Sequence, residues 1–248
     1  MIDALTELAE RQFRDYHACT PGTCFADPGF ALDLAQAYAL QDRVSALRVA
    51  AGERVAGYKV GCTGPGTVAQ FGMAGPIRGY LYEGEIRETG ARLDLAAYPH
   101  LAIEGEMALR IGDDGQIAAA FPIVELHRFI FRGPRPTLGE LIANNGFNAG
   151  IVLPDGAWLS SRRFLDRSAT LSVRVNGSLL GSGALWPLAG GPAPSLSWLR
   201  QHLSAFGRDV VPGQIVLAGT PLGLYPVASG SHVAVFVDDQ LATQCWVV

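Results

Sequence analysis

Apolar and polar positions follow two different periods along this chain. Over the first fifty residues apolar positions recur at helical spacing. Met1 to His17 mixes apolar and charged residues in that rhythm, and Asp33 to Ala51 places Leu40, Val44 and Leu47 at i, i+4 and i+7 before Gly52. Both segments read as helices, separated by a loop with two Pro-Gly turn signals, Pro21-Gly22 and Pro28-Gly29. From Arg54 onward the texture changes to short strands and turns. Val55–Gly61, Leu101–Ile111, Ile123–Leu126, Thr170–Val175, Gln214–Ala218, His232–Val237 and Leu241–Val247 are read as strands. Asn176-Gly177 supplies a two-residue hairpin turn, Asp238-Asp239-Gln240 turns the last pair, and Cys62 to Gly66 forms a turn after the first strand. One late helix is expected over Ser195–Phe206, with Ser195 as its cap and Gly207 beyond its end.

Helices followed by many strands predict an α+β fold, not alternating βαβ units. No GxGxxG follows a strand, and neither a P-loop nor a GxSxG elbow occurs. We expect a helical part over residues 1–52 packed on a β-rich catalytic part over 53–248, together one structural unit. The 30 glycines and 15 prolines fit such a turn-rich fold. A net charge of −4 with no Lys/Arg-rich run argues against nucleic-acid binding. No apolar run is long enough to span a bilayer, and the acidic N-terminus lacks the pattern of a signal peptide, so a cytoplasmic protein is expected. Cys19, Cys24, Cys62 and Cys245 show no zinc-ligand spacing and are read as reduced thiols.

The chemistry concentrates in Ile103-Glu104-Gly105-Glu106-Met107-Ala108-Leu109. Strand alternation puts Ile103, Gly105, Met107, Leu109 and Ile111 on one apolar face and both glutamates on the other, about 7 Å apart. Two carboxylates that close repel. If their face is buried, a hard divalent cation resolves the repulsion, and oxygen donors without a Cys/His cluster point to Mg²⁺ or Mn²⁺. The alternative is an exposed edge strand with two solvated acids. Glu125 lies in the apolar stretch Phe121–Leu126, where an acid either faces outward or needs a partner. Lys59, flanked by Gly57 and Gly61, either snorkels to solvent or serves a pocket.

These segments occur in one order: Gly57–Thr63, Ile103–Leu109, Pro122–Leu126, Ala143–Gly150 and Leu217–Pro221. That order resembles the fumarylacetoacetate hydrolase superfamily, in its branch of 2-keto-4-pentenoate hydratases and 4-oxalocrotonate decarboxylases. The resemblance spans roughly residues 30–245. It implies a mixed β-roll with helices outside. It implies Mg²⁺ or Mn²⁺ held by Glu104, Glu106 and Glu125, with Lys59 facing a small 2-oxo acid. Arg78, Asn145, Ser182 and Thr220 are the expected substrate contacts. The implied activity is a metal-dependent lyase of the hydratase type, adding water to a 2-hydroxy-2,4-dienoate through its enone tautomer. Such a substrate arises when an aromatic ring is cleaved. Alternatives are a decarboxylase of a 2-oxo dicarboxylate such as 4-oxalocrotonate, a C–C bond hydrolase, or a non-catalytic partner subunit of such an enzyme. The resemblance also implies a homo-oligomer and allows a complex with a pathway enzyme.

The chain departs from that pattern at four places. Ile77, in Pro76-Ile77-Arg78-Gly79, stands where hydratases carry an acid, for which Glu83 or Glu85 is a candidate substitute. The Glu106-to-Glu125 stretch is short, Asn144-Asn145 replaces Asp-Asn, and Gly190-Gly191-Pro192 replaces Gly-His-Pro. His127 follows Glu125 by two, and is read as a structural histidine in preference to a general base.

Overall fold

A computed structural model describes residues 4–20, 31–64, 75–128 and 137–248. The two Pro-Gly loop signals, Cys24 and the Pro65-Gly66 end of the first turn lie outside the described residues. Helix α1 spans Ala4–His17 and α2 spans Leu34–Ala50. Asp33 starts α2 through a capping box: its carboxylate accepts from the Gln36 N–H, and the Gln36 side chain accepts from the Asp33 N–H.

Among the described residues the strands form two sheets. The larger takes β1 (Val55–Gly61), β2 (Ile77–Tyr82), β3 (Ile86–Arg87), β5 (Ala102–Ile111), β6 (Ile117–His127), β7 (Asn148–Val152), β10 (Ile215–Leu217) and β11 (Tyr225–Pro226). Its order is β2-β1-β10-β5-β6-β7-β3, with β11 beside β5. The smaller runs β4-β13-β12-β8-β9, from Ala91–Leu93, Gln240–Val247, His232–Val237, Thr170–Val175 and Ser178–Ala184. Mixed parallel and antiparallel pairings and flanking helices give the expected α+β roll. No described helix is long and apolar enough to cross a membrane.

The sheets pack through the apolar face read from the sequence. Ile103, Met107, Leu109 and Ile111 are buried in one cluster with Val173, Val233 and Val235 of the smaller sheet. At Gly105 the sheets approach so closely that a Cβ would overlap the Val173 side chain. The opposite face of β5 is therefore left for Glu104 and Glu106.

Three expectations need correction. The strand expected at Ile123–Leu126 is the middle of an eleven-residue strand, Ile117–His127, paired with β5 along its length. Pro122 is tolerated there because β7 pairs only with residues 124–127, so β6 is unpaired on that side at Pro122. The late helix starts earlier, at Ala193, with Pro192 in the cap position. Ser195 does not cap it; its hydroxyl donates to the Ala218 carbonyl at 2.7 Å and ties the helix to the end of β10. The helix ends at Ser204, and Gly207 follows in the left-handed region. Both hairpin turns are as read: Asn176, Gly177, Asp238 and Asp239 all have positive φ.

Candidate functional site

Antiparallel pairing of β5 with β6 sets Glu104 directly opposite Glu125, with Glu106 two residues further along β5. The three carboxylates line one cavity of about 360 Å³. Residues 60–64 at and beyond the end of β1, Pro187, and residues 219–222 after β10 complete its walls. Both glutamates of the ExE pair are thus off the solvated edge: Glu106 and Glu125 are buried, and Glu104 keeps 20% of its side chain exposed.

Lys59, on β1, does not snorkel. Its Nζ lies 2.8 Å from Glu125 Oε1 and donates to the Gly146 carbonyl at 3.1 Å. Asn148 donates to the same carboxylate oxygen at 2.6 Å. His127 Nε2 is 3.0 Å from Glu104 Oε2 and 3.3 Å from Glu125 Oε2. The Gly219 N–H donates to Glu106 Oε1 at 2.6 Å. The Thr220 hydroxyl donates to the Gly105 carbonyl at 2.6 Å, on the cavity wall.

The electrostatics follow from three acids sharing buried space with two bases. Burial opposes the charge of Glu125, yet the Lys59 ammonium and His127 outweigh it and hold this carboxyl well below its ordinary range. Burial, then the charge of Glu125, pushes Glu106 well above that range. Burial works against the charged forms of Lys59 and His127, but Glu125 raises both. Three carboxylates that line one cavity form a donor set suited to a hard divalent cation. Glu104, Glu125 and His127 also bring three potential ligand atoms within 4.8 Å of one another.

Other expected residues lie elsewhere. Arg78 is fully buried, its Nη2 2.6 Å from Asp42 and its Nη1 2.6 Å from the Gln41 side chain, among the rings of Tyr38, Tyr80 and Phe206. It is committed to α2 and does not line the cavity. Asn145 spends its side chain on the backbone of Tyr80, accepting from its N–H and donating to its carbonyl. Ser182 is exposed on β9, the outer strand of the smaller sheet, and is not on the cavity wall. Ile77 is buried with Tyr38, Leu141 and Phe147. Neither candidate acid replaces it: Glu83 pairs with Arg54 at the surface, and Glu85 pairs with Arg48 at 2.6 Å and with Tyr16.

Sequence reasoning missed the turn before β7. Asn145, Gly146 and Phe147 have φ of 61°, 60° and 60°, three left-handed residues in a row. This turn brings the Gly146 carbonyl to Lys59 and leads into Asn148. Asn-Gly signals a turn, but nothing marks a left-handed Phe147. His127 was recognised but undervalued, since its two carboxylate partners depend on strand register.

No family profile matches the chain. It is 27% identical to a 2-hydroxyhexa-2,4-dienoate hydratase of Comamonas testosteroni, over 82% of this chain and 81% of that one. It is 26% identical to a 4-oxalocrotonate decarboxylase of Pseudomonas sp. (strain CF600), with the same two coverages. The solved 4-oxalocrotonate decarboxylase from Pseudomonas putida G7, complexed with magnesium and adipate, superposes with a TM-score of 0.87 at 20% identity, covering 98% of this chain and 97% of that one. A fumarylpyruvate hydrolase from Pseudomonas aeruginosa, in complex with Mn²⁺ and pyruvate, shares the fold at a TM-score of 0.55 and 15% identity, over 77% of this chain and 88% of that one. The chain is a homologue of the 2-keto-4-pentenoate hydratases and 4-oxalocrotonate decarboxylases, with the fold of the fumarylacetoacetate hydrolase family.

Proposed function

We propose that this protein is a divalent-metal-dependent lyase acting on a small 2-oxo or 2-hydroxydienoic acid, and that its reaction is hydration of a 2-hydroxy-2,4-dienoate. The observation that carries the reading is the convergence of Glu104, Glu106 and Glu125 in one cavity, with Lys59 held on Glu125. The three carboxylates would hold Mg²⁺ or Mn²⁺. When bound, such an ion supplies Lewis-acid polarisation of a 2-oxo group and stabilises enolate charge. The chain's own residues supply the rest. Lys59 keeps Glu125 ionised and so a good oxygen donor. The Gly219 N–H orients Glu106, and Thr220 fixes the wall where substrate enters. Glu104 is the carboxylate of the three that keeps contact with solvent.

The second reading, decarboxylation of a 2-oxo dicarboxylate, draws on Ile77, a buried apolar residue at the position where the resemblance places an acid for the proton transfers of hydration. Against it, Arg78 is spent on Asp42 and does not await a distal carboxylate. The hydrolase reading wanted a cavity-facing base, but His127 is engaged by two carboxylates. The intact carboxylate set disfavours a non-catalytic subunit. Self-association belongs to this proposal and is measured by light scattering on the eluting protein.

The test is direct. Freshly generated 2-hydroxypenta-2,4-dienoate is followed by its ultraviolet band with Mg²⁺ or Mn²⁺, then with chelator. Metal-dependent loss of the band above the buffer's own ketonisation, yielding 4-hydroxy-2-oxopentanoate, is expected. Absence of a metal-dependent change refutes hydration of this substrate, and release of CO₂ from 4-oxalocrotonate would then establish the second reading.

A further inference from the structure

His127 stands one step beyond the three carboxylates. It shares a face of β6 with Glu125, because residues two apart on a strand point the same way. Register places it beside Ala102 of β5 and Asn148 of β7, at the end of β6 but between two strands, and the ring is buried. Its Nε2 sits 3.0 Å from Glu104 Oε2 and 3.3 Å from Glu125 Oε2. The opposite oxygen of Glu125 is occupied by Lys59 and Asn148. Two carboxylate oxygens and one imidazole nitrogen therefore lie within 4.8 Å of one another.

Those separations have a second meaning. In a six-coordinate shell with bonds of about 2.1 Å, neighbouring donor atoms lie roughly 3.0 Å apart. The Nε2-to-oxygen distances match two edges of such a shell. Without an ion the same contacts are hydrogen bonds.

We propose that His127 Nε2 is a direct ligand of the ion held by Glu104 and Glu125, which makes the centre a mixed nitrogen–oxygen site that selects a first-row transition ion such as Mn²⁺ over Mg²⁺. This rests on the metal-dependent reading above and goes further, because it names the residue that chooses the metal. Imidazole is a borderline donor that suits transition ions, whereas Mg²⁺ prefers oxygen ligands and retains its water. Among the described residues no other histidine joins a cluster with these carboxylates.

Pulsed electron paramagnetic resonance of the full chain loaded with Mn²⁺ tests this. A nitrogen modulation that changes when the protein is grown with ¹⁵N-histidine is the expected signature of a bound imidazole. In His127→Gln the modulation disappears, and the ratio of Mn²⁺ to Mg²⁺ affinity, measured by competition, falls by about tenfold or more. Should the variant fail to fold, the labelled wild-type spectrum still decides. Stoichiometric Mn²⁺ binding without histidine modulation overturns this inference alone and makes His127 a hydrogen-bonded brace. Absence of any Mn²⁺ or Mg²⁺ binding overturns the metal-dependent reading together with it.

Discussion

Replacing Lys59 with Met tests whether the site is held together by charge. The Lys59–Glu125 pair is 2.8 Å long, with 5% and 1% of the two side chains exposed. Breaking so buried a pair from one side leaves Glu125 with Asn148 and His127 but without its ammonium partner, at a cost of about 3–5 kcal/mol. For a chain of 248 residues that corresponds to a fall in Tm of about 6–20 °C, at roughly 2–4 °C per kcal/mol. Methionine keeps the apolar stem, so lost packing contributes little. The assay is thermal and urea unfolding at pH 7 in chelator, repeated with saturating Mn²⁺. A bound ion at a hundred times its Kd adds about 2.7 kcal/mol to any protein that binds it. In the variant the ion also supplies the positive charge that Lys59 no longer gives, so the variant gains more from Mn²⁺ than wild type does. The sign with pH is fixed. Glu125 has a folded pKa below its ordinary 4.5, so the pair contributes above that value and its contribution is lost as pH falls through the folded pKa. The gap between wild type and variant is therefore full at neutral pH and closes in acid. Combining Lys59→Met with Glu125→Gln recovers most of the loss in chelator, because the stranded charge is gone. Metal-free Lys59→Met within about 1 kcal/mol of wild type at pH 7 would refute the reasoning.

Gly219→Ala places a Cβ against the Thr63 side chain at a residue with φ +87° and moves the amide that orients Glu106. The left-handed conformation alone costs about 1–2 kcal/mol, and titration calorimetry should show divalent-ion affinity reduced about tenfold or more. Arg78→Met strands Asp42, which retains Tyr80 and Arg208, and should lower stability by about 2–3 kcal/mol while leaving KM for the dienoate unchanged. A KM raised tenfold at unchanged Tm would return Arg78 to the substrate. His202 is pushed down to about 4, by burial first and then by the Arg78 charge. The unfolded chain takes up that proton near 6.5, so stability falls between pH 6.5 and about 4, and His202→Phe flattens that limb of a urea-unfolding series.

What could be read from the sequence was whatever local periodicity controls. Alternation in β5 assigned both faces correctly, because one face packs on the second sheet and the other lines the cavity. The length of β6 was hidden by two features. Its residues are nearly all apolar, so no alternation marks its ends, and Pro122 looks like a boundary until the neighbouring strand is seen to stop short of it. Arg78 reads as a positive charge available to a substrate carboxylate because nothing in its own segment marks a buried strand or an acidic partner. The partner, Asp42, lies on α2, and pairing over that distance has no local signature. Asn145 and Ser195 failed in the same way. Both are polar residues at turns or helix starts, and both spend their hydrogen bonds on backbone brought near only by the tertiary fold.

The distribution of the departures argues for what can vary in this site. Lys59, Glu104, Glu106, Glu125 and Gly219 come from β1, β5, β6 and the end of β10, four strands adjacent in the larger sheet. The charged residues among them are each fixed by ladder pairing on both sides or by a donor at the carboxylate, and Gly219 is itself the donor to Glu106. Ile77 begins β2, the last strand on that side, and Asn144-Asn145 lies in the turn before β7. Substitution at such positions repacks a cluster without displacing the carboxylates. The centre of the sheet therefore holds the charge arrangement constant while its margin is free to change proton-transfer groups and pocket shape. On the proposed reading, substrate and proton path can differ at the margin while the carboxylates that would hold the ion stay fixed.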